Sequence, residues 1–161
     1  MNKFGFDKDL TLTKVVKIKE EKFLFWKKKK VYHYWIVATP FSFRIKHDEF
    51  QGVVINVHAG FRTDLASVPR MFRGFFSVDG PWAQPAVLHD FLYSKRGVCV
   101  ASGINFSREQ CDNTFLEAMW SVGVPLKDRR LIYRGVRLGG WVPFMKSTDP
   151  KKEDEKTLDV D

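Results

Sequence analysis

The sequence predicts an α+β fold: an N-terminal antiparallel sheet of four or five strands, about three helices after it, and a polar C-terminal tail. Three observations predict it. From Leu10 to Val57 apolar residues recur with period two, or in short β-branched and aromatic runs. From about Pro69 to Leu138 that pattern gives way to helical punctuation, with caps and glycine stops. Lys146 to Asp161 then holds almost no apolar content, too little to offset the entropy of ordering.

Leu10-Thr11-Leu12-Thr13 alternates, and Val15-Val16-Lys17-Ile18 continues that first strand. Phe23 to Trp26, then Lys27 to Lys30, then Val31 to Val37 read as a hairpin with four lysines at its tip. Phe41 to Ile45 and Val53 to Val57 supply two more strands, and Pro40, which cannot donate to a ladder, marks a break. Pro81 to Lys95 reads as a helix with Ala86, Val87, Leu88, Phe91 and Leu92 apolar and Gly97 as its stop. Ser107 and Gln110 form a capping box, so a second helix starts there and ends at Gly123 and Pro125. A third helix is expected over Lys127 to Leu138, closed by Gly139-Gly140. Residues 1–145 therefore make one domain and residues 146–161 a charged tail.

The chain has 161 residues, 44% hydrophobic and 29% charged, a globular composition of single-domain size. No run of about 18 apolar residues occurs, so no transmembrane helix is expected. The first nine residues are too charged for a signal peptide. Cys99 and Cys111 cannot build a disulfide framework, and a reducing compartment is the simpler expectation. Net charge is +8, laid out as +6 over residues 1–50, +4 over 51–145 and −2 over 146–161. Such a basic chain suits nucleic acid, anionic lipid or an acidic protein surface. Lysines at a hairpin tip also keep sheet edges apart, and no base-reading motif accompanies them, which places nucleic acid behind a solvated tip.

Asp64 and Ser67 stand i, i+3 before Pro69 and Arg70, a spacing that suits a loop closure or helix start as readily as catalysis. On a helix, His89 and Tyr93 share a face while Asp90 points about 100° away. If the first two helices pair across the Gly97–Phe106 loop, Asp112 meets His89 and Tyr93. An Asp and a Tyr hydroxyl on one ring nitrogen would set the histidine tautomer, leaving the other nitrogen to take a proton from water. Asp90 would hold a hard cation with carbonyls of the Val78-Asp79-Gly80 loop. The same residues equally make a satisfied polar network that joins two helices and reacts with nothing.

Gly60 to Arg70, Val87-Leu88-His89-Asp90 with Tyr93, Asp112 with Phe115, Ala118 and Met119, and Tyr133 with Val136, Arg137 and Gly139-Gly140-Trp141 occur in order. Together they closely resemble a family of phages and prophages, domain of unknown function 1353, over about residues 50–141. The resemblance implies a phage origin, with synthesis in the host cytoplasm and a place in the virion as expectations, and does not by itself imply an activity. More locally, His89-Asp90 with Tyr93, then Asp112 and Phe115, is similar to the core of calcium-dependent secretory phospholipases. That resemblance implies His89 as general base, Asp90 as a calcium ligand, and Tyr93 and Asp112 as orienting groups. Two functions are therefore expected in competition. One is an ester hydrolase acting at the host envelope. The other is a non-catalytic tail, neck or head component, with other phage proteins or its own copies as partners.

Overall fold

The computed structural model describes residues 4–23, 26–46, 49–63, 65, 80–99, 103–140 and 144–145. Six strands come first: β1 (Gly5–Phe6), β2 (Leu12–Phe23), β3 (Trp26–Val37), β4 (Phe41–Arg44), β5 (Val54–Val57) and β6 (Arg62–Thr63). Helix α1 (Ala83–Ser94), strands β7 (Val98–Cys99) and β8 (Ile104–Asn105), helix α2 (Arg108–Ser121) and helix α3 (Leu126–Gly139) follow. The fold class is α+β, as the periodicity predicts.

The expected single sheet is instead two three-stranded antiparallel sheets, ordered β1-β4-β5 and β2-β3-β6. The division falls at Ala38–Pro40. Ala38 N–H still donates to Thr11 O, but Pro40 cannot extend the ladder, and β4 pairs with β1 and β5 instead. Strands β1 and β6 are two residues each, too short to leave a periodic trace in the sequence.

The lysine run is also placed differently from expectation. Phe23 pairs with Trp26, so the chain reverses between them, and Lys27 to Lys30 lie within β3. Their register partners are Lys22, Glu21, Glu20 and Lys19 in turn. Two of the four thus have a glutamate as register partner and two have a lysine. No glycine, proline or asparagine marks the turn, which leaves the polar lysines as the only turn-like stretch the sequence shows.

The core is built by strict alternation on one sheet and by helix faces against it. Phe41 and Phe43 of β4 and Ile55 and Val57 of β5 are buried, while Ser42 and Asn56 face outward and bond each other at 2.8 Å. Against these pack Val87, Leu88 and Leu92 of α1, Phe115 and Met119 of α2, and Ile132 and Val136 of α3. Each such side chain contributes about 1.5–3 kcal/mol by leaving water.

The helix boundaries follow the predicted signals. Ser107 Oγ accepts from Gln110 N–H at 3.2 Å, and Gln110 Oε1 accepts from Ser107 N–H at 2.7 Å, closing the capping box of α2. Gly123, at φ +79°, follows its end. Beyond α1 the chain turns through Arg96 (φ +49°) and Gly97 (φ +77°), and Gly97 N–H bonds Leu92 O at 2.8 Å. Gly97 O then accepts from Phe106 N–H, so the β7–β8 hairpin closes back on the helix end.

A Cβ on Gly97 would sit 1.8 Å from Phe106 O, in a backbone region that side chains rarely adopt. Gly97→Ala is therefore expected to cost more than about 1 kcal/mol, a fall in melting temperature of at least about 2–4 °C. Thermal unfolding followed by circular dichroism checks this, and an unchanged melting temperature would contradict the Gly97–Phe106 closure.

Candidate functional site

Three helices bring one carboxylate to the centre of the predicted cluster. Asp112 lies in the first turns of α2, four residues after Arg108 and beside the buried Cys111 and Phe115. His89 and Tyr93, one turn apart on α1, lie on the face turned towards α2. The His89 ring centroid stands 4.0 Å from that of Tyr93 and 4.7 Å from that of Phe115. Tyr93 is backed in turn by Phe144 at 5.1 Å. His89 is 1% exposed and Asp112 0%.

The bonding differs in one respect from the expected arrangement. Tyr93 donates its hydroxyl to Asp112 Oδ1 at 2.5 Å, and His89 Nε2 meets the same oxygen at 2.9 Å. The shared acceptor is the carboxylate, whereas the sequence reading placed both partners on the imidazole. The chemistry explains the difference, because an ionised carboxylate oxygen takes two donors and a ring nitrogen only one. Asp112 Oδ2 is occupied as well: Arg137 Nη1 of α3 donates to it at 2.9 Å, and Arg108 Nη1 stands at 3.7 Å. Arg108 also donates to Arg137 O at 3.1 Å, tying the start of α2 to the end of α3.

Burial alone pushes the Asp112 carboxyl up. Hydrogen bonds from His89 and Tyr93, the charge of His89 and the Arg137 hydrogen bond together outweigh it and hold the group below the usual carboxylate range. Being ionised, Asp112 must accept, so His89 donates to it from Nε2. Burial, then the bond to and charge of Asp112, push the Tyr93 hydroxyl up, keeping it a donor. Burial, reinforced by the neighbouring Asp112 charge, pushes the Cys111 thiol up to about 12. Among the described residues no buried side-chain nitrogen or oxygen lacks a hydrogen-bond partner.

Asp90 is turned away from this centre, as its position on the helix predicts. Its Oδ2 accepts from the Thr63 hydroxyl of β6, and Thr63 Oγ1 accepts in turn from Leu65 N–H at 3.0 Å. Leu65 is held at φ +53°, an uncommon region for a branched residue. Asp90 thus ties α1 to the strand that opens the Gly60–Arg70 motif. Among the described residues no three His, Cys, Asp or Glu side chains gather closely enough to hold a metal ion. Asp64, Ser67, Arg70 and the Val78-Asp79 part of the proposed loop lie outside the described residues.

Sequence reasoning missed Arg108, Arg137 and Thr63. Arg108 carried a signal, its i, i+4 spacing to Asp112. Arg137 stood within the last of the ordered motifs but reads by itself as a solvated helix residue. Thr63 carried none, being joined to Asp90 only by the fold. Gly140 also belongs to the site: a Cβ there would lie 2.5 Å from Tyr93 Oη.

Residues 35–136 match the family described as protein of unknown function (DUF1353). The chain belongs to this family. The match begins at Trp35, within β3, so it takes in more of the sheet than the expected 50–141. It contains His89, Tyr93 and Asp112 and stops one residue before Arg137. No curated protein and no solved structure matches the chain.

Two expected outcomes test the cluster. Tyr93→Phe removes a charge-assisted bond and is expected to cost about 1.5–3 kcal/mol, read from urea unfolding. Asp112 is depressed in the folded state, against about 3.9 when unfolded. Its contribution is therefore present above about pH 4 and lost as the pH falls through the lower folded value. Asp112→Asn is expected to unfold more easily at neutral pH and to show a shallower loss of stability in acid than the parent. Parallel acid limbs for the two would contradict the ionised hub.

Proposed function

We propose that the chain is a non-catalytic structural or assembly protein of a phage particle, a tail, neck or head component, in which the Asp112 cluster locks three helices. The observation that carries this reading is the burial of His89 at 1% and Asp112 at 0%. A general base must come within about 2.6–3.2 Å of the proton it removes, or one water away. A nearly sealed ring with its polar neighbours satisfied does what a scaffold needs. The phage setting comes from the resemblance of the ordered motifs.

One observation favours the hydrolase reading instead: the 2.9 Å bond from His89 to Asp112 orients an imidazole as an esterase requires. The two readings separate on one variant. For a scaffold, His89→Gln lowers unfolding stability by about 1–3 kcal/mol, and the parent does not cleave short-chain esters or phospholipid, with or without calcium. Hydrolysis by the parent that His89→Gln abolishes at unchanged melting temperature would overturn the scaffold in favour of the enzyme.

A further inference from the structure

Strands β2 and β3 form a ribbon of twelve paired positions, Leu12 with Val37 through Phe23 with Trp26. Among the described residues, strand β6 pairs with Trp35 and Ile36. Among the described residues no third strand accompanies the ribbon from Tyr34 to its end. At roughly 3.3 Å per residue, that stretch reaches about 30 Å. Val16 and Ile18 on it are 51% and 61% exposed.

Its composition is ordered along its length. Residues 17–30 hold seven lysines and two glutamates, net +5. In the strand register Lys17 stands opposite Tyr32, Lys19 opposite Lys30 and Lys22 opposite Lys27. The last pair is aromatic on both strands, Phe23 with Trp26, directly beyond the Lys22–Lys27 pair. Residues 14–34 contain no arginine, asparagine or glutamine, the residues that read base edges bidentately. Lysine is a point charge suited to a diffuse anionic surface, and aromatic rings settle at the lipid headgroup level.

We infer that this ribbon is a docking arm for an anionic lipid bilayer, its lysines drawn to the headgroups and the Phe23–Trp26 pair entering the interface. Charge attraction and a small inserted apolar area act together where either alone binds weakly. The arm is separate from the Asp112 cluster and does not depend on how that cluster is read.

The full chain is tested by cosedimentation with vesicles of phosphatidylcholine, alone or mixed with phosphatidylglycerol, at low and high salt. Binding is expected only with phosphatidylglycerol, weakened by salt, and reduced about tenfold or more in Phe23→Ser/Trp26→Ser. A second variant with Lys27, Lys28, Lys29 and Lys30 all changed to Gln keeps the aromatic pair and is expected to lose the binding too. Melting temperatures equal to the parent's show that both variants remain folded. Phosphatidylglycerol binding undiminished in both folded variants, or binding to duplex DNA with none to the vesicles, would overturn the inference.

Discussion

A carboxylate with no exposed surface must be paired or the fold does not hold, and Asp112 is that carboxylate. Taking it out of water costs several kcal/mol after relaxation, which its partners must offset. Those partners come from every helix: His89 and Tyr93 from α1, Arg108 from α2 itself, Arg137 from α3. The two oxygens divide the work. Oδ1 faces inward to the aromatic pair of α1, and Oδ2 faces the two arginines near the surface. The arrangement of the three helices is thus tied to a single side chain rather than to apolar area alone, which would tolerate sliding of one helix past another.

The helical half was legible because its signals are local. A capping box, a glycine after each of the first two helices and an apolar stripe lie within a few residues of what they specify. His89, Tyr93 and Asp112 were legible for the same reason: i, i+4 spacing and a known helix start place them on facing sides. Arg137 was not, since the residue that closes the carboxylate from 25 positions away carries no mark of it in its own neighbourhood. The Thr63–Asp90 tie is of that kind too, a strand-to-helix contact that exists only after folding. The sheet division at Pro40 and the position of the lysine run depend on register, and register is a property of two strands at once.

Family membership and geometry meet unevenly at the site. The region that matches the family holds the inner half of the hub, the oxygen shared by His89 and Tyr93, while Arg137 stands just past its limit. Gly140 lies further on, yet its missing side chain is what leaves room for the Tyr93 hydroxyl.

Cys111 sits one residue before the hub, fully buried, with its thiol held protonated by burial and by the charge next to it. Only the thiolate attacks alkylating agents or peroxide, so in the closed molecule this sulfur is chemically silent. Its reactivity becomes available when α1 and α3 part from α2 and water enters. Labelling of this sulfur therefore has to pass through an opening of the helical joint, which makes Cys111 a built-in reporter of the lock around Asp112.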